Sequence, residues 1–188
     1  MDHLERLVEI ARHSSWCMSA LSAVREMGLE SWCIGAGAIR NLVWDSLHGY
    51  ELPTHIADVD VAYFDASDLS STRDAEIQSH LAARSPGIPW EVTNQAAVHL
   101  WFKSVFGHSV PPLASLGEAI ASWPEYTTAV GLTLLDNGTI DVWAPYGLDD
   151  LFSMVVRRNP ARVSVDTYRR RVEQKRYLER WPRATVIV

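Results

Sequence analysis

Asp58-Val59-Asp60-Val61-Ala62-Tyr63-Phe64, downstream of Trp32-Cys33-Ile34-Gly35-Ala36-Gly37, is the stretch that decides the fold. Acidic and apolar residues alternate in a β-branched and aromatic run, the pattern of a strand. Asp58 and Asp60 then share one face, while Val59 and Val61 take the other, buried face. Two carboxylates that close repel each other and raise one pKa unless a cation lies between them. The earlier segment reads as a short buried strand entering a small-residue turn and a helix, whose first amides and positive dipole end suit an anion. A strand presenting an acid pair beside such a turn suits divalent metal with phosphate, which points to an enzyme.

Working outward, Asp2 and Glu5 form a capping box for a first helical segment that Gly28 stops and that His13-Ser14-Ser15 splits. Helical spacing continues from Ala38 to Trp44, and Tyr50 to Ala57, with Pro53, is a loop. Ser70 or Ser71 caps a helix through Arg84, and Pro86-Gly87 ends it. A third strand is expected over 88–92, a helix over 94–106 and a short helix over 116–122. Asp136-Asn137-Gly138 between 128–135 and 139–143 is a hairpin signal. Helices over 149–158 and 165–180 close the chain.

The expected fold class is α/β (α+β), a mixed twisted sheet flanked by helices with basic helices at the C-terminus. The 188 residues suit one domain, 1–188, with helical segments at 1–28 and 147–188. Cys17 and Cys33 are the only cysteines and offer no paired framework, so a reducing compartment is the default. No signal peptide and no membrane-length apolar run is present, and a cytoplasmic protein is expected. Residues 157–188 hold ten Lys/Arg against three Asp/Glu, and the rest holds seven against twenty. Such an acidic body with a basic tail does not suit general nucleic-acid binding, and a solvated arginine-rich helix is the simplest account of the tail.

Gly35-x-Gly37-x-x-Arg40, with Asp58 further on, also approaches a dinucleotide-binding fingerprint. Arg40 stands where the third glycine belongs, and Asp58 and Asp60 open their strand instead of ending it. A purely structural account has Asp58 capping the loop, Asp60 paired with an arginine such as Arg40, and Gly35 and Gly37 permitting a tight turn. An acid in the middle of this strand would cost several kcal/mol if left unpaired.

The third account is a resemblance. Ile34-Gly35-Ala36 followed by Asp58-Val59-Asp60-Val61 resembles the motif of the minimal, polymerase-beta-like nucleotidyltransferase superfamily. The chain is more similar still to a bacterial nucleotidyltransferase-like family of unassigned substrate. That pattern includes Arg40-Asn41, Trp44-Asp45, Trp90-Glu91-Val92-x-Asn94-Gln95, Thr128-Ala129-Val130-Gly131 and Ala144-Pro145-x-Gly147-Leu148-Asp149-Asp150-Leu151. Two departures stand out. Ala36 replaces the usual Gly or Ser, and 21 residues separate it from Asp58, with His48, Tyr50 and His55 in a candidate substrate loop.

The resemblance implies Mg²⁺-dependent (or Mn²⁺-dependent) transfer of a nucleoside monophosphate from an NTP to an unidentified acceptor, for which the acidic net charge favours a small molecule. Mg²⁺ takes one or two carboxylates plus substrate phosphates. On this account Asp58, Asp60 and Glu91 are the metal-binding and catalytic residues, and Gly35, Ala36, Gly37, Arg40 and Gln95 bind the nucleotide. Superfamily order favours Glu91 as third acid, with Asp141 as its competitor. Asn94 is expected to cap a helix, and His99 to pack. The competing class is a non-catalytic nucleotide-binding or interaction module on the same fold.

Overall fold

The computed structural model describes residues 1–188. Helices α1 (His3–His13) and α2 (Ser15–Arg25) open the chain, the first with the expected Asp2/Glu5 capping box. Strand β1 (Trp32–Gly35) leads directly into α3 (Ala36–His48), which Gly49 ends in the left-handed region. Then follow β2 (Val59–Tyr63), α4 (Ser71–Arg84), β3 (Trp90–Asn94), α5 (Val98–Phe106) and α6 (Leu116–Ala121). The hairpin β4 (Gly131–Leu134) and β5 (Ile140–Trp143) forms around the Asn-Gly turn, as expected.

The five strands stand in the order β3-β2-β1-β4-β5. β1 is antiparallel to both neighbours, and β2 and β3 are parallel, so the sheet is mixed. Val59, Val61 and Ile34 on one face join Leu21, Trp44 and Leu81 in the main core. The opposite face carries a smaller cluster of Cys33, Ala62, Leu116, Ile120 and Ala129, against which Trp123 and Trp143 pack. Because α6 covers only part of this second face, the acid-bearing end of β2 is left in an open cleft.

The C-terminal region differs from the sequence expectation. The helix expected over 149–158 stops after one turn, as α7 (Asp149–Phe152), and Val155–Arg157 forms β6. β6 pairs in parallel with β7 (Thr185–Ile187) in a separate two-stranded sheet. Val155 and Val156 are β-branched, and once a partner strand exists the ladder outweighs helical spacing. The helix expected over 165–180 breaks at Arg176, whose φ of 47° is left-handed, giving α8 (Val165–Lys175) and α9 (Tyr177–Arg180). The Tyr168 hydroxyl donates to the carbonyls of Val156 and Ile187, fastening α8 to the small sheet. No helix is long and apolar enough to cross a membrane.

Candidate active site

Register decides which acids meet. Asp60 on β2 is the direct neighbour of Glu91 on β3, and the strands are parallel, so both side chains rise from one face. Asp58 precedes β2 by one residue and is half-buried. Burial, then the charges of Asp58 and Glu91, push the Asp60 carboxyl up to about 7, while Lys175 and Arg171 pull it back. Asp141 lies on β5, three strands from β2, about 14 Å across the sheet at ordinary strand spacing. The structure therefore brings Glu91, and not Asp141, to the acid pair.

The cleft has a volume of about 190 Å³, and its lining includes Ala36, Asp60, Glu91, Gln95, Trp123 and Arg171. A larger cavity, 610 Å³, lies away from these acids beside α1, α3 and the loop 50–57. Convergent charge distinguishes the smaller space. Its oxygens are hard donors whose negative charge Arg171 and Lys175 offset only in part, which suits Mg²⁺ or Mn²⁺. No His, Cys, Asp or Glu trio is drawn close enough to enclose an ion by itself, and Mg²⁺ commonly completes its shell with waters and substrate phosphates.

The glycine turn forms the floor. A Cβ on Gly35 would lie 2.6 Å from the Trp123 ring and 2.8 Å from the Val130 carbonyl oxygen, so only glycine fits without a shift. Ala36 has φ of 53°, an unfavourable conformation for a side-chain-bearing residue. Its N–H donates to the Val130 carbonyl at 3.0 Å and is thereby taken up within the protein. No side chain caps the first turn of α3, so the amides that follow Ala36 lack that partner. Gly37 is open, its nearest contact for a Cβ being Arg40 Nη2 at 3.7 Å.

Gln95 reaches the cleft, with Oε1 accepting from Trp123 Nε1 at 3.5 Å and Nε2 donating to the Thr93 carbonyl at 3.4 Å. Asn94 is a cap, accepting from the amide of Ala96 and donating to the carbonyls of Asp65 and Asp68. His99 is half-buried and bonded to the Ala96 carbonyl. His48, Tyr50 and His55 do not line the cleft: Tyr50 donates to the Arg180 carbonyl, and Arg180 donates to the carbonyl of His55.

Arg40 is placed differently from the expectation. It is 2% exposed and does not line the cleft. Its guanidinium sits 4.9 to 5.3 Å from the ring centres of Trp44, Tyr177 and Trp181, and one nitrogen, Nη1, has no partner. It pairs with neither Asp58 nor Asp60; the positive charge acting on Asp60 comes instead from Arg171 and Lys175, neither of which makes an ion pair with it. Asp45 is likewise taken, by Trp181 Nε1 and Thr54.

Sequence reasoning missed the basic wall of the cleft. Arg171 lines the cleft, and Lys175, one helical turn further along α8, acts with it on the charge of Asp60 and also on that of Asp58. Beneath Arg171 lies Glu125, with no exposed surface, accepting from Arg171 Nε at 2.9 Å and the Tyr177 hydroxyl at 2.6 Å. Burial alone would raise the Glu125 pKa, but Arg171, Tyr177 and Arg40 together hold it below the ordinary value. The only sequence signal was the arginine excess of the tail and the Arg171/Lys175 spacing.

Comparison with known proteins identifies the family. A nucleotidyltransferase family model matches residues 22–186, and the chain belongs to that family. No functionally curated protein matches. A solution NMR structure described as revealing a CCA-adding enzyme head domain is 28% identical, with a TM-score of 0.80, over 97% of this chain and 95% of that one. The Thermotoga maritima CCA-adding enzyme complexed with tRNA is 12% identical with a TM-score of 0.58. A tRNA-processing enzyme complex is 18% identical with a TM-score of 0.54. The last two share the fold alone, and this chain spans only 42% and 43% of their lengths.

Proposed function

We propose that the cleft of this nucleotidyltransferase-family member binds an NTP with Mg²⁺ or Mn²⁺ and transfers its nucleoside monophosphate to an acceptor. The observation that carries the reading is the register of Asp60 beside Glu91, with Asp58 adjacent, in a half-buried cleft where burial and mutual repulsion outweigh the pull of Lys175 and Arg171. A bound divalent ion would relieve it and neutralise charge on the reacting phosphate. Asp58, Asp60 and Glu91 would hold the ion, and the first turn of α3 would receive phosphate on its free amides. Arg171 supplies positive charge in the lining, and Lys175 adds to it from nearby on α8.

In the transfer, an acceptor oxygen forms a bond to the α-phosphorus and the bond from that phosphorus to the bridging oxygen breaks, releasing pyrophosphate. Glu91, exposed at the cleft, is placed to take the proton of an acceptor hydroxyl. Gln95 and Trp123 form the wall beside the acids and orient the substrate.

Net charge of −6 favours a small acceptor, whereas the structural neighbours described with tRNA favour an RNA end. We place the reaction in the cytoplasm, where Cys17 and Cys33, both free and buried, stay reduced.

The test is incubation with each labelled NTP, Mg²⁺ or Mn²⁺, and either the small-molecule or the RNA fraction of a cell extract. Label entering a product with wild type and not with Asp60→Asn supports the enzyme. NTP binding without any transfer supports the non-catalytic module.

A further inference from the structure

We propose that Glu125 is a positioning residue for the nucleotide site: from beneath the cleft it fixes the Arg171 guanidinium so that the fork's terminal nitrogens face the polyphosphate. This rests on the nucleotidyl-transfer reading of the cleft.

Glu125 cannot touch a substrate, because none of its surface is exposed. Its Oε1 accepts from Arg171 Nε and from the Tyr177 hydroxyl, and its Oε2 from Thr128 Oγ1 at 3.2 Å. All the carboxylate's bonding therefore lies inside the protein. The two residues before it, Trp123 and Pro124, line the cleft, so the segment that forms the wall also plants the anchor.

The choice of nitrogen matters. Glu125 holds Arg171 by Nε, the inner nitrogen, and the two terminal nitrogens make no hydrogen bond within the protein. The Arg171 side chain is still 27% exposed and borders the space that holds Asp60 and Glu91. A guanidinium is planar, so fixing its inner N–H fixes the direction of the remaining donors, which match a phosphate in bidentate fashion. An unanchored arginine would have to surrender its rotamer freedom on each binding event.

A role limited to neutralising buried arginine would not need this geometry. Arg40 shows the contrast: it lies near the same carboxylate, stacked among aromatic rings and away from the cleft. Of the two, only Arg171 combines the anchor with open donors at the cleft.

The test measures binding of Mg²⁺-tripolyphosphate and Mg²⁺-ATP by calorimetry to wild type, Glu125→Asp, Tyr177→Phe, Arg171→Ala and the two double variants with Arg171→Ala. Glu125→Asp keeps the charge but withdraws the anchor, and Tyr177→Phe loosens it without changing charge. Arg171→Ala should weaken tripolyphosphate binding roughly tenfold to a hundredfold, as loss of a charged hydrogen-bond donor does. Glu125→Asp should cost roughly tenfold, Tyr177→Phe less, and neither should add to the loss once Arg171 is gone. In transfer assays the same two variants should raise KM for the NTP with little change in kcat.

Unchanged binding in both variants, or losses that add to that of Arg171→Ala, would overturn the proposal. If Glu125→Asp fails to fold, Tyr177→Phe carries the same cycle. Wild type that transfers label but binds no tripolyphosphate overturns the anchored-arginine site and leaves the nucleotidyltransferase reading standing. Wild type that binds tripolyphosphate through Arg171 but transfers nothing does the reverse.

Discussion

Glu125 and Asp60 are both carboxylates withdrawn from solvent on either side of Arg171, and their environments move them in opposite directions. Glu125 has Arg171, Tyr177 and Thr128 as direct partners, with Arg40 nearby, and stays ionised. Asp60 has two acids as its main neighbours, and its pKa rises to about 7. One carboxylate is satisfied within the protein; the other is left in deficit. On the proposed function, the first anchors the fold and the binding arginine while the second holds the ion, because an unsatisfied charge gains from a ligand that arrives later.

The largest expected effect comes from breaking the satisfied side. Glu125→Gln leaves buried Arg40 and half-buried Arg171 without their carboxylate and should cost about 3–5 kcal/mol, read by urea unfolding. If the loss is below about 1 kcal/mol, the network is not a stabilising unit and the contrast with Asp60 collapses.

Next in size is the floor between the two regions. Gly35→Ala drives a Cβ into the Trp123 ring and should destabilise by about 1–3 kcal/mol, with a change in tryptophan fluorescence. Gly37→Ala meets nothing closer than 3.7 Å and should be neutral or gain up to about 1 kcal/mol within the helix.

On the deficient side the sign reverses. The folded-state pKa of Asp60 is raised, so the native protein binds the proton more tightly than the unfolded chain does. The stability of the metal-free protein attributable to this group is therefore full near pH 4 and is lost as pH rises toward 7. Asp60→Asn should match wild type near pH 4 and exceed it by about 1–2 kcal/mol at pH 8, in melts with a chelator present. Addition of Mg²⁺ and an NTP should raise the wild-type melting point and leave that of Asp60→Asn unchanged. A mutant less stable than wild type at pH 8 would mean that Arg171 and Lys175 outweigh the burial and the neighbouring acids at Asp60.

The smallest effect belongs to the acid outside both regions. Asp141→Asn should change stability by no more than about 0.5 kcal/mol and leave transfer intact, whereas Glu91→Gln should abolish transfer with little loss of stability. Loss of transfer in Asp141→Asn would displace Glu91 from its assigned role.

What the sequence determined by itself was everything with a short-range signature. Alternation in Val59–Tyr63 placed Asp60 opposite the buried valines, the Asp2/Glu5 pair began α1, and Asp136-Asn137-Gly138 turned the hairpin. Residue order along the strand-turn-helix also exposed the family. These signals need only neighbours a few positions away, where chain connectivity enforces proximity.

Tertiary structure alone decided the rest. Glu91 meets Asp60 only because β2 and β3 pair in parallel in one register. Arg171 meets Glu125 across 46 positions, and Trp181 meets Asp45 across 136. The same distance hid β6, whose partner β7 lies about thirty residues on, and it drew Arg40 into an aromatic box where local spacing had aimed it at a phosphate. Such contacts form only after long loops have closed, and nothing in either local segment records which distant one will be its partner.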